Sequence, residues 1–232
     1  MNSNRRTAFV AGIFFVVAAA TAVIGLALYD PVLNDAGFVA GAGSETQVLV
    51  GALFEIFLAV SVIGTAVTLY PVVKRENESL AMGYVAGRVF EATVIAVGMI
   101  SLLAVVTLRQ DPVGVAPGLV DALVAIHDWT FLVGPGFAIG VNTLLLAYLM
   151  RRSGLVPGWI ALIGLVGGPL IFASSTAILL GAYDQLDPVA GLLAFPVFAW
   201  EMSLATYLIA KGFRRPAMPS REPRALVDPL PA

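Results

Sequence analysis

Seven polar side chains that could bind a ligand or exchange a proton lie inside long apolar stretches of the chain. They are Glu55, Arg88, Glu91, His127, Asp128, Asn142 and Glu201. Carboxyl groups and histidine can exchange protons, whereas arginine keeps its charge and an amide both donates and accepts hydrogen bonds. Ionisable residues in apolar surroundings are expected to pair with each other or to form a functional site. The seven are therefore the candidate binding residues.

The composition excludes a water-soluble domain. Of the 232 residues, 59% are hydrophobic and 12% are charged, whereas soluble domains are about 25% charged. The mean hydropathy of +0.92 indicates an integral membrane protein whose first partner is the lipid bilayer. The chain has no cysteine, which excludes disulfides, thiol catalysis and Cys-ligated metals. No basic run interleaved with aromatic residues predicts binding to nucleic acid.

Six stretches are long and apolar enough for membrane spans, which need roughly 20 residues each. They cover about 7–28, 47–70, 79–108, 121–150, 158–182 and 189–211. Proline and glycine mark most of the breaks between them, as expected at helix ends. The predicted fold class is all-α, an integral membrane bundle of six transmembrane helices within residues 1–212. The remainder, 213–232, is rich in proline and arginine and is predicted to be a disordered cytoplasmic tail.

Basic residues alternate from break to break and predict the orientation of the bundle. They flank every second break and both ends of the bundle: Arg5, Arg6, Lys74, Arg75, Arg151, Arg152, Lys211, Arg214 and Arg215. The other breaks carry Asp and Glu, with Arg109 as their single basic residue. Because basic loops stay in the cytoplasm, both termini are predicted to be cytoplasmic.

Depth along the spans predicts which polar residues meet. Arg88 and Glu91 are three residues apart and can pair on one helical face, and Glu201 lies at a matching depth in the sixth span. Glu55 lies in the half of the second span away from that arginine. We expect Arg88 to join the third and sixth spans through Glu201, with Glu91 as its local partner.

Two features of the fourth span leave alternatives open. His127 and Asp128, in "IHDWT", fit a proton entry point or metal site, but also an ordinary helix end at the membrane surface. A lone histidine without cysteine is a poor metal signature, and neither a metal nor a cofactor is predicted. "GPG" at 134–136 should bend or locally unwind the span, because Pro135 lacks the N–H that the Phe131 carbonyl would accept.

Two sequence segments resemble a known family. "RVFEA" in the third span and "LLLAYLMRRSGLVPGWIALIGLVGG" across the fourth and fifth are similar to a bacterial membrane family, domain of unknown function 4386. The resemblance covers roughly 5–212. It implies a six-span, multi-pass protein of the bacterial inner membrane, and it supplies no catalytic residue.

Three functional classes remain open. The first is a binding or structural and regulatory membrane subunit with an intramembrane polar cluster, whose ligand the sequence does not identify. The second is a small proton- or ion-coupled transporter. The third is an intramembrane enzyme using a carboxylate as acid or base, which is disfavoured because the chain has no HExxH, GxSxG or Ser–His–Asp spacing. Short breaks between spans are compatible with a monomer or a homo-oligomer.

The orientation can be tested with reporter fusions. Fusions after Tyr29, Arg109 and Tyr183 should report an external position, because these breaks are acidic. Fusions after Arg75 and Arg152 should report a cytoplasmic position. A single clear reversal in this series would contradict the six-span orientation.

Overall fold

The computed structural model describes residues 3–35, 37–113, 115–116 and 118–214, and within them the chain is helical without any strand. Among these residues, six helices are long and apolar enough to cross a membrane, which confirms the predicted all-α, multi-pass fold class. As spans one to six they are Asn4–Leu28, Glu45–Val73, Glu78–Gln110, Leu119–Ser153, Gly158–Leu179 and Pro188–Ala210. Residues 215–232 of the predicted cytoplasmic tail lie outside the described residues.

Local sequence signals account for where the spans begin and end. Ser44 accepts a hydrogen bond from Gln47 N at 3.2 Å at the start of span two. Asn77 accepts one from Leu80 N at 2.9 Å at the start of span three. Gly154 ends span four with φ of 64°, a backbone conformation that glycine adopts without strain. Side-chain caps and glycine thus fix the boundaries that hydropathy alone only approximates.

The six spans close into a ring. Consecutive spans pack side by side, and span six returns to pack against span one. In such a ring, spans three and six lie on opposite sides. The end of the bundle with Arg5, Lys74, Arg151 and Lys211 is called the basic end below. The opposite end, with the loops after spans one, three and five, is called the acidic end.

One apolar core fills the half of the bundle near the basic end. All six spans contribute to it, with Phe15, Leu69, Tyr84, Met150 and Trp200 among its fully buried members. At the surface of the basic end, the guanidinium of Arg5 donates a hydrogen bond to the carbonyl of Leu208 at 2.8 Å. Spans one and six are thereby held together at the basic end.

A folded loop covers spans two and three at the acidic end. It contains the short helix Asp30–Asn34 and the buried side chain of Phe38. Arg109 donates to the carbonyls of Phe38 at 2.9 Å and Gly43 at 3.1 Å, and its guanidinium lies 4.5 Å from the Phe38 ring centre. Arg109, the one basic residue among the acidic breaks, therefore has a structural role, because its guanidinium binds the carbonyl groups of this loop.

Glycine allows close contact between spans four and five. A Cβ at Gly168 would lie 2.7 Å from the Gly140 carbonyl and 3.1 Å from the Leu144 nitrogen. Both neighbours are backbone atoms, so they cannot rotate away. Such small-residue contacts are a common way for membrane helices to approach each other.

We therefore expect Gly168→Ala to destabilise the bundle by about 1–3 kcal/mol, the usual range for overpacking. Gly191→Ala is the matched control, because a Cβ at Gly191, also in a span, would meet no atom within 4 Å. Unfolding measured in the same detergent should show loss of stability for Gly168→Ala alone. Equal stabilities of the two variants would contradict the close contact.

Candidate functional site

A buried ionic group, here called the Arg88 cluster, consists of Arg88, Glu91, Asn142 and Glu201. Arg88 Nη2 donates to Glu201 Oε1 at 2.7 Å, and Arg88 Nη1 lies 3.3 Å from both carboxyl oxygens of Glu91. Asn142 Nδ2 donates to Glu91 Oε2 at 2.7 Å. The expected link from span three to span six is confirmed, and span four joins it through the amide.

The members of the Arg88 cluster are buried, and Glu201 is the most exposed of them at 9%. Arg88 and Glu91 are each 3% exposed, and Asn142 is 0% exposed. The guanidinium carbon also lies 5.8 Å from the Phe15 ring centre and 5.6 Å from that of Tyr84, which adds cation–π attraction. Gly87 makes room for the cluster, since a Cβ there would overlap the side-chain oxygen of Asn142. The geometry is that of a structural ion pair set into the apolar core.

A second polar site lies nearer the acidic end and is separate from the Arg88 cluster. It is a cavity of about 250 Å³ between spans one to four, here called the acidic-end cavity. Apolar residues form most of its wall, and Glu55, His127 and Thr130 are its polar members. Leu58 and Ile95, also on its wall, belong to an apolar cluster with Val62 and Ala92. On the side of the cavity that faces the Arg88 cluster, the wall is therefore apolar.

Tyr29 makes a hydrogen bond to the carboxyl group of Glu55. Tyr29 directly follows the end of span one, and it is 0% exposed. Its hydroxyl donates to Glu55 Oε2 at 3.2 Å. Burial, and then the neighbouring carboxylate of Glu55, raise the pKa of the Tyr29 hydroxyl above its ordinary value. Tyr29 therefore keeps its proton and remains a hydrogen-bond donor, which leaves Glu55 Oε1 for another partner.

His127 is a buried cavity residue, which differs from an ordinary helix end at the membrane surface. It is 4% exposed, and its ring meets the Tyr29 ring edge to face at 5.8 Å between centres. His127 Nδ1 lies 3.5 Å from Asp128 Oδ1, whereas the Asp128 side chain itself is 57% exposed. Thr130 Oγ1 donates to the His127 carbonyl at 2.7 Å.

Span four changes its helix type beside the cavity. The segment Leu132–Ala138 forms a π-helix around Pro135, and Pro135 lines the acidic-end cavity. The expected local distortion is thus confirmed, with the missing proline N–H as its cause. Short π-helical turns occur often at functional sites. This one widens span four where span four borders the cavity.

A larger opening, here called the vestibule, lies at the acidic end beside the acidic-end cavity. It has a volume of about 700 Å³ and shares Leu26, His127 and Phe131 with the acidic-end cavity. Asp128 and Asp184 also line it. Within the described residues, no group of three His, Cys, Asp or Glu side chains is arranged to hold a metal ion.

The structure therefore divides the candidate residues into two sites. Arg88, Glu91, Asn142 and Glu201 come together in one, and Glu55, His127 and Asp128 lie at or beside the other. Sequence reasoning missed two members of the second site, Tyr29 and Thr130. Thr130 lies three residues after His127 on the same helical face, a spacing that could have indicated it. Tyr29 follows a span, and no sequence pattern connects it to Glu55.

A double-mutant cycle on Arg88→Met and Glu201→Gln tests the link between spans three and six. Arg88→Met alone should destabilise by roughly 3–5 kcal/mol, because it leaves buried acids without their partner. The double variant should lose less than the sum of the single losses. Unfolding in detergent or bilayer measures all four proteins.

The control cycle uses the surface pair Arg152 and Glu76, whose atoms lie 3.3 Å apart with the Arg152 side chain 63% exposed. Its coupling should stay within about 1 kcal/mol, as for most exposed pairs. If the Arg88 and Glu201 effects simply add, the two residues do not stabilise one another.

Comparison with known proteins identifies the family of the chain. The model of one family, described as domain of unknown function (DUF4386), matches residues 10–212, which include all members of the Arg88 cluster as well as Glu55, His127 and Asp128. No curated protein and no solved structure matches the chain. With most of its length matched, the chain belongs to the DUF4386 family.

Proposed function

We propose that this protein binds a small amphiphilic molecule in the acidic-end cavity, as a binding subunit of the bacterial inner membrane with both termini in the cytoplasm. The observation that carries the proposal is the cavity itself, with apolar walls around the carboxyl group of Glu55. Ligand sites are typically apolar pockets with a few polar groups that orient the ligand. The Arg88 cluster has the supporting role of holding the spans around the cavity.

The volumes fit a small molecule. The cavity of about 250 Å³ would hold about eight waters at the ~30 Å³ that each occupies in the liquid. Together with the vestibule of about 700 Å³, it reaches the range of roughly 300–1,000 Å³ that is usual for ligand pockets. A short apolar tail fits the cavity, and the vestibule shares three wall residues with it.

A proton-coupled transporter is the second candidate, and two observations favour it. The Arg88 guanidinium faces two carboxyl groups, those of Glu91 and Glu201, so the cluster has one more acid than base. The π-helix in span four is a segment that could change its hydrogen bonding between two states. Uptake of a bound amphiphile into proteoliposomes, driven by a pH gradient, distinguishes transport from binding alone.

Substitution of a small cavity residue tests binding. Ala22 lines the acidic-end cavity, so Ala22→Phe should fill it and abolish binding. The probes are four molecules with the same hexyl tail: hexan-1-ol, hexylamine, hexanoate and hexyl sulfate. Added to wild-type protein in nanodiscs, at least one should raise the thermal midpoint by several degrees, and none should raise it for Ala22→Phe.

Ala20→Phe is the matched control, because Ala20 is on the same span but exposed on its outer surface. It should respond to the probes as the wild type does. No response in wild type to any of the four probes would overturn the proposed function. So would equal responses of wild type and Ala22→Phe, because the probes would then bind elsewhere.

A further inference from the structure

We infer that the ligand of the acidic-end cavity is a primary alkylammonium, a protonated amine on a short apolar tail. The inference rests on the proposed function and assigns its chemical class. The inference follows from one property of the cavity. Each polar side chain on its wall presents a hydrogen-bond acceptor to the cavity, and the donors of these side chains already make hydrogen bonds within the protein.

The donors are used in three places. The Tyr29 hydroxyl donates to Glu55 Oε2 at 3.2 Å, so Glu55 Oε1 stays as an acceptor. The Thr130 hydroxyl donates to the His127 carbonyl at 2.7 Å, so its lone pairs stay free. We assign the proton of His127 to Nδ1, the tautomer in which this nitrogen can donate to Asp128 Oδ1, 3.5 Å away.

The tautomer of His127 follows from that contact. With its proton on Nδ1, a neutral imidazole presents a lone pair on Nε2. No partner of Nε2 is present among the described residues, and the ring is on the walls of both the cavity and the vestibule. Glu55, His127 and Thr130 therefore offer acceptors on the wall of one cavity of about 250 Å³, and a complementary ligand brings several donors on a small head group. An alkylammonium carries three N–H donors on a single nitrogen.

The charges around the site have the matching sign. Glu55 in the cavity and Asp128, Asp184 and Asp187 in the vestibule are carboxyl groups. Among the described lining residues of both spaces there is no lysine and no arginine. Trp129 in the vestibule also offers an aromatic face, which attracts cations. A carboxylate or sulfate head group would instead meet the negative charges of these carboxyl groups without any lysine or arginine to compensate them.

Affinities of hexylamine, hexan-1-ol and hexanoate for wild-type protein test the assignment without any substitution. Titration calorimetry in nanodiscs, with empty nanodiscs as reference, should give the order amine, then alcohol, then hexanoate. The amine should bind about tenfold or more tighter than the alcohol, as hydrogen bonds to charged groups imply. Binding of the alcohol as tightly as the amine, lost in Ala22→Phe, would overturn the ammonium assignment and leave the proposed function intact.

A substitution then locates the ammonium. Glu55→Gln should reduce the advantage of the amine over the alcohol to about threefold or less, because the charge that strengthens the hydrogen bond is removed. A thermal midpoint and helix content like those of the wild type, measured without any probe, show that the variant is folded. Glu78→Gln is the control, because it removes an exposed carboxyl group at the basic end of span three. This variant should keep the full advantage of the amine over the alcohol. An unchanged amine advantage in Glu55→Gln would overturn the assignment of Glu55. Binding of no probe to wild type would overturn the proposed function as well.

Discussion

Arg88 cannot lose its charge in a medium that penalises charge, and the arrangement of the spans around it follows from this constraint. Arginine stays protonated in proteins, so its burial at 3% exposure requires acids within hydrogen-bonding distance. Glu91 lies on its own helix, but Glu201 comes from the opposite side of the ring. The pair therefore does more than neutralise a charge, because it fixes the distance and depth between spans three and six.

This constraint separates the bundle into two halves with different properties. Between the Arg88 cluster and the basic end, all six spans share one apolar core, and Arg5 ties span one to span six. Toward the acidic end, spans two and three pack with the folded loop in a second apolar cluster that includes Phe38 and Leu102. Beside this cluster the spans leave the acidic-end cavity and the vestibule, and span four forms a π-helix. The packed parts of the bundle give a fixed frame, and the two spaces give room for a ligand.

The sequence allowed prediction of what depends on position along each helix. Span lengths follow from hydropathy, the Arg88–Glu91 pair follows from a spacing of three, and Glu201 follows from depth. It did not allow prediction of which way each helix faces, because spans that are apolar on all sides give no periodic signal. The meeting of Tyr29, Glu55 and His127 depends on the rotation of spans two and four, and so does the division of the candidates into two sites.

The separation of Glu55 from Arg88 is itself a functional requirement of the proposed site. Had Glu55 been within reach of the guanidinium, its oxygens would be occupied by arginine donors and unable to accept a ligand. Leu58, Val62, Ala92 and Ile95 form an apolar cluster on this side of the cavity, and Tyr29 supplies one neutral donor in place of a cation. A neutral donor orients the carboxyl group without cancelling its charge, so the remaining oxygen can still attract an ammonium group. The same buried polar chemistry thus links the spans where acids face an arginine and can bind a ligand where that arginine is absent.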